Sequence, residues 1–349
     1  MDETLLAGLG IEHPIIQAPM AGTSSPAMAA AVAEAGALGS IGVGATNAAG
    51  TRKMIAEIRQ RTDRPFNVNL FCHQPPRPDA AGDAAWIETL RPEFAQFGAE
   101  PPKALTEIYK SFVEDDEMLA ALLEERPKVV SFHFGLPGAA RISALREAGI
   151  VLLGSATNPA EAKALQQAGL HGVVAQGYEA GGHRGIFDPE AEDSRLGTLA
   201  LTRLLVRDLS IPVISAGGIM DGAGIAAALK LGAQAAQLGT AFVACPESLA
   251  DEGYRAALRS EAAHHTTMTP AISGRPARCL ANRFTRIAPI GVAAYPRAYD
   301  IGKALNAAAK AGGDFGYGAQ WAGQGAPLAR AMPAGELVKL LVEELRAAI

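Results

Sequence analysis

Cysteine is scarce in this 349-residue chain: Cys72, Cys245 and Cys279 are odd in number and far apart, and no CxxC pair occurs. That usage suits a reducing compartment and argues against a disulfide framework. The seven histidines show no HExxH spacing, and the neighbours His264 and His265 lie in a polar stretch, EAAHHTT, that reads as solvent-exposed. No metal site is expected. Charged residues make up 19% and the net charge is −5. With no basic field, nucleic acid is not expected as a partner. The opening stretch, MDETLLAGLGIEHP, lacks the basic start and apolar core of a signal peptide. No run reaches the roughly 18 uninterrupted apolar residues of a membrane helix. The expectation is therefore a cytoplasmic protein away from membranes. A dinucleotide fingerprint is missing too: the nearest match, GVGATN at 42–47, lacks its third glycine.

What the chain does have is a regular alternation. Short apolar runs rich in β-branched residues read as strands at 14–20, 38–44, 66–72, 129–135, 150–156, 171–177, 211–218 and 235–242. Between them lie alanine-rich segments of helical period, such as SPAMAAAVAEAG, NPAEAKALQQAG and DGAGIAAALKLG, opening on Ser, Asn or Asp and closing on Gly. Apolar runs that do not alternate with polar residues suit strands buried on both faces, as in parallel sheets. Eight such units in series predict an α/β fold, a TIM (β/α)₈ barrel, with a doubly wound sheet as the second choice. Two stretches break the repeat, 73–127 after strand three and 246–320 after strand eight, and loops of that length are usually lids or small subdomains. The domain reading is a barrel over 1–245 plus 321–349, with a smaller helical and loop substrate lobe inserted over 246–320. GELVKLLVEELRAAI at the end has a 3.6-residue apolar period and reads as the closing helix.

In a barrel the strand tips form one surface. The loops after strands seven and eight, SAGGI and QLGTAF, carry Gly217, Gly218, Gly239 and Thr240 and can aim backbone N–H groups at an anion. Amides at Asn69 and Gln176, with Met20 as an apolar bed, add a place for a flat polar ring, and flavin mononucleotide is the natural candidate. Each has a plainer reading: a GG pair is often only a tight turn, the amides can satisfy local backbone, and methionine often just fills a core. The stretch AQGYEAGGHRG at 175–185 sets His183 among four glycines, where a packed core histidine is not expected. His133 divides evenly between an interior histidine and a pocket residue. Arg184 reads as a partner for Glu179 or for an acid of DPEAEDSR, itself read as a solvated loop.

PIIQAPMAG, FNVNLF, VVSFHFGLP, AQGYEAGGHRG, ISAGGI, QLGTAF, AYPRAYDIGKAL and WAGQG, in this order along nearly the whole chain, resemble the nitronate monooxygenases, formerly 2-nitropropane dioxygenases, of the bacterial class I type. The resemblance implies a barrel with noncovalent FMN, O₂ as co-substrate and no requirement for NAD(P)H. It implies oxidation of an anionic nitronate, such as propionate 3-nitronate, through a flavin semiquinone to a carbonyl compound and nitrite, a detoxifying reaction. It maps FMN contacts onto Met20, Gly22, Asn69, Gln176, Gly181, Gly218, Gln237, Leu238, Gly239 and Thr240, and the catalytic histidine onto His183. An imidazole titrating near neutral pH suits a base that takes an α-proton, or, once protonated, a cation beside a nitronate. Tyr299 and Lys303 are candidate substrate-side groups, although a lysine on a surface is the usual case. A monomer or homodimer is expected. The competing readings are an NAD(P)H:quinone reductase or an enoyl-ACP reductase on the same barrel, or a sugar-phosphate barrel without flavin.

Overall fold

Ser25, Asn47, Asn158 and Asp221 each accept, through the side chain, the backbone N–H three residues on, and each starts a helix after a strand. Four of the helix-ending glycines, Gly36, Gly149, Gly169 and Gly232, hold positive φ between 79° and 99°, a conformation other residues resist. These local signals set the βα repeat. The computed structural model describes residues 5–349, so the first four residues of the opening stretch lie outside it.

Eight strands run parallel: Ile15–Gln17, Gly39–Gly42, Phe66–Phe71, Val129–His133, Val151–Ala156, Gly172–Gln176, Val213–Ala216 and Ala235–Leu238. The last pairs with the first, Ile16 opposite Gln237. A parallel bridge between Ile16 and Leu38 joins the first to the second and closes the barrel. The expected eighth strand at 235–242 divides: it stops at Leu238, and Thr240–Val243 is one turn of helix. Gly239, between them, is where the chain turns from strand to helix.

The closing helix, Ala334–Ala348, packs between helices Pro26–Glu34 and Gly222–Lys230 and buries Leu337, Val338, Leu341, Val342 and Leu345. Each such side chain is worth roughly 1.5–3 kcal/mol when fully buried. Residues 246–320 add two antiparallel strands, Thr266–Thr269 and Ala277–Leu280, and a long helix, Arg297–Ala311. Helix Ala80–Ala95, from the excursion after strand three, packs against that long helix. Trp86, Leu90 and Phe94 share one apolar cluster with Ile272, Phe284, Ile301, Leu305 and Tyr317. The lobe thus has a core built from two distant parts of the chain.

Candidate active site

The strand tips and the lobe line one cleft, which is open to solvent. Met20, Asn69, His133, Gln176, Gly181, His183, Gly217, Gly218, Gln237, Gly239, Thr240 and Tyr299 all line it.

At one end are the glycine turns. Gly217 and Gly218 hold φ of +123° and +70°, and a Cβ on Gly217 would stand 2.7 Å from Thr198 Oγ1. A Cβ on Gly181 would stand 2.4 Å from the backbone nitrogen of Gly323, so only glycine lets these two loops touch. Among the described residues nothing accepts the backbone N–H of Gly218 or Gly239, which leaves two donors free at the wall. Asn69 spends its amide N–H₂ on Ser131, whose hydroxyl accepts at 2.9 Å, and keeps its carbonyl oxygen free. These features fit the phosphate and ring of FMN.

Three expected cofactor positions behave differently. Gln176 lines the cleft, but its amide donates to the His183 carbonyl at 2.9 Å and its oxygen accepts from Gly185 N at 2.7 Å. It holds the glycine-rich loop in place. Leu238 is 1% exposed in the apolar core between the strands and the surrounding helices and does not line the cleft. Gly22 sits at a turn with φ +76° between the lining residues Ala21 and Thr23.

The other end is aromatic. Gly182–His183 forms a short strand that pairs with Ala277 and Arg278 of the lobe, so His183 is delivered to the cleft by lobe pairing. Phe134, Tyr295, Tyr299 and Trp321 surround its ring at centroid distances of 5.1–6.0 Å. Tyr109 lies 5.7 Å from Tyr299. Asp300 accepts from Thr106 N and Oγ1, tying the segment that carries Tyr109 to the helix that carries Tyr299. Lys303 is exposed and outside the lining; its ammonium lies over the rings of Tyr109 and Tyr299 at 4.8 and 5.2 Å.

The imidazole does not titrate near neutral pH, contrary to the expectation from sequence. Burial, then the positive fields of His133, Arg275 and His73, push His183 down to about 3. Burial does the same to His133 and His73, each lowered to about 4. Neutral His133 donates Nε2–H to the His183 carbonyl at 3.2 Å, because a carbonyl only accepts, and takes the Ser155 hydroxyl proton at Nδ1 at 3.0 Å. Positive charge comes instead from Arg275 and Arg278, each 3% exposed. Their hydrogen bonds go to the carbonyls of Ile186, Phe187 and Tyr178 and to Thr266 Oγ1, and neither forms an ion pair among the described residues.

Arg184 pairs with Asp193 at 2.8 Å, an acid of the DPEAEDSR run, whose other residues are mostly exposed. Glu179 instead accepts from Thr198 N and Oγ1. His264 and His265 are exposed. Tyr109, Ser131, Ser155 and Tyr254 line the cleft without having been singled out from sequence. The WAGQG motif pointed toward Trp321 and Gly323, whereas nothing in KALTEIYKSF marks Tyr109.

A closed barrel with glycine turns at its strand tips, capped by a lobe that holds a histidine among aromatic rings, is the architecture of a small-molecule barrel enzyme. Residues 2–344 match the family model described as nitronate monooxygenase, and the chain belongs to that family. It is 62% identical to the nitronate monooxygenase of Paraburkholderia phytofirmans, over 99% of this chain and 95% of that protein. It is 57% identical to the nitronate monooxygenase of Pseudomonas aeruginosa, over 97% of each. Among solved structures it is similar to a nitroalkane oxidase from Streptomyces ansochromogenes, with TM-score 0.89 and 43% identity over 97% of both chains. It is also similar to FabK from Thermotoga maritima, with TM-score 0.76 and 32% identity over 99% of this chain and 97% of that one. The enzyme is a flavin-dependent oxidoreductase of the nitronate monooxygenase type, and the reductase alternatives are not favoured.

Proposed function

We propose that the cleft holds FMN noncovalently and that the enzyme oxidises alkyl nitronates, such as propionate 3-nitronate, with O₂ to a carbonyl compound and nitrite, without NAD(P)H. The observation that carries this reading is the meeting in one cleft of free glycine N–H groups with an anion-friendly, aromatic compartment around His183. When bound, FMN supplies the redox chemistry, and Gly217, Gly218, Gly239, Thr240 and Asn69 are the residues that hold it. The lobe binds the substrate. Arg275 and Arg278 give it a positive field with no carboxylate bonded to them, which favours an anion over a neutral molecule of the same shape. Aromatic rings exclude water around the substrate carbon. His183, neutral in the resting protein, takes the α-proton when the bound substrate is a neutral nitroalkane, and the anion so formed raises its affinity for that proton.

The reading is tested by releasing and weighing the cofactor, and by measuring nitrite from a nitronate in air. Nitrite formation without pyridine nucleotide supports it. Flavin that responds to NADH or NADPH but leaves nitronate untouched defeats it. The 32% identity to FabK, against 62% and 57% to the nitronate monooxygenases, weighs against that outcome.

A further inference from the structure

The turn between the two lobe strands, residues 270–276, passes directly behind His183. Ser273 in this turn is fully buried, and its Oγ lies 2.8 Å from His183 Nε2. Gly274 makes the turn possible: φ is +91°, and a Cβ there would stand 2.5 Å from Tyr295 N and 2.6 Å from Ala293 O. The same hydroxyl reaches the Arg275 carbonyl at 3.2 Å. A serine has one proton to give, so these two contacts decide which nitrogen of His183 carries hydrogen.

The Arg275 carbonyl belongs to a residue 3% exposed, and no other described group donates to it. A buried carbonyl left unpaired is costly. The hydroxyl proton therefore goes to that carbonyl, and Oγ is left with lone pairs facing Nε2. Nε2 must then bear the imidazole hydrogen. The other ring nitrogen, Nδ1, makes no hydrogen bond with any described residue, while the residue lines the cleft. We infer that Ser273 is a positioning residue that fixes His183 as the Nε2–H tautomer and turns its bare Nδ1 toward the substrate. The tautomer follows from hydrogen-bond accounting alone; that Nδ1 is the atom meeting the substrate rests on the nitronate monooxygenase reading.

When a neutral nitroalkane is bound, Nδ1 takes its α-proton: the N–H bond forms as the C–H bond breaks, and that bond's electron pair stays on the substrate, which becomes the nitronate. The Nε2–H to Ser273 bond then steadies the imidazolium, as a buried partner on the far nitrogen does in hydrolase triads.

The test uses the full-length holoenzyme carrying ¹⁵N-labelled histidine, with His183 assigned by the signal that His183→Asn removes. At neutral pH the parent should show one species, Nε2 protonated and Nδ1 bare, and Ser273→Ala should show a mixture. For a neutral nitroalkane substrate, kcat/KM should fall about tenfold in Ser273→Ala, the worth of one hydrogen bond to a group that becomes charged, mainly through kcat. Ser273→Thr, which keeps the hydroxyl, should recover most of it. A parent with Nδ1 protonated, or a Ser273→Ala protein that keeps a single Nε2–H species, overturns the inference. The expected tautomer in an enzyme that leaves nitronates untouched upholds the inference and sinks the proposed function instead.

Discussion

The cleft has two halves built by different rules. The barrel half consists of strand tips and glycine turns: Gly217, Gly218 and Gly239 stand where the fold itself puts them, at the C-terminal ends of the seventh and eighth barrel strands. The lobe half consists of side chains from scattered places, Tyr109, His183, Ser273, Tyr295, Tyr299 and Trp321, brought together by packing. The first half needs little more than backbone, and at Gly217 it leaves no room for a side chain. The second needs particular side chains and a stable lobe. On the proposed reading these are the cofactor half and the substrate half, and changes in each should have separable effects.

The largest separation is expected from Gly217→Val. Its positive φ and the 2.7 Å approach of Thr198 Oγ1 leave no place for a branched side chain. The purified variant should lose bound flavin and all activity together, read from the flavin-to-protein absorbance ratio. Full flavin content would break the assignment of that turn to the cofactor.

Next is His183→Asn in the lobe half. Flavin content should stay at the parent's level, while kcat/KM for a nitroalkane falls at least roughly 10²-fold, the lower range for a lost proton-transfer group; nitronate turnover should suffer less. Equal turnover of nitroethane by variant and parent removes His183 from the chemistry.

Trp86→Ala sharpens the comparison without touching the cleft. Trp86 is fully buried in the lobe core, and truncation should cost about 3–5 kcal/mol. The lobe should loosen first, so thermal unfolding followed by lobe proteolysis should begin at lower temperature while the barrel's flavin signal persists. Simultaneous loss of both signals would show that lobe and barrel unfold as one unit.

The smallest effect is a pH dependence. His73, His133 and His183 have affinities for protons well below the usual value of 6.5, at about 4, 4 and 3. The unfolded chain therefore binds more protons than the folded one below 6.5, and stability must fall as pH drops from there toward 3–4. Above 6.5 these groups contribute their full share. Tm should decline between pH 7 and pH 5 in the parent, and the decline should be shallower in His73→Phe, which deletes one such group. Parallel slopes would exclude His73 as a source.

The two halves also differ in how far they could be read from sequence. The barrel half was legible, because Ser, Asn and Asp caps, glycine stops and doubly buried strands are local signals that each element carries in its own residues. His183 stood out for a local reason as well, an imidazole among glycines. Even here, Leu238 faces the surrounding helices, because successive strand side chains point to opposite faces of the sheet. The lobe half was mostly illegible. Helix Ala80–Ala95 joins the lobe through a contact with residues more than 200 positions away, as Arg297 to Asp83 at 3.0 Å illustrates. No local pattern encodes that. Ser273 looks like any turn serine until the His183 strand is paired beside it. The proton affinity of His183 was misjudged for the same reason: burial and the charges of His133, Arg275 and His73 are tertiary facts. Lys303, expected at the substrate, lies outside over two tyrosine rings, where its stem and charge both find partners.

The most direct test of the account is to add a nitronate to the flavin-loaded protein without oxygen and without pyridine nucleotide, while recording the visible absorbance. The account predicts that the oxidised flavin spectrum is lost on mixing and returns on admission of air, with nitrite released. An oxidised spectrum that persists with nitronate, and bleaches only on addition of NADH or NADPH, would contradict it.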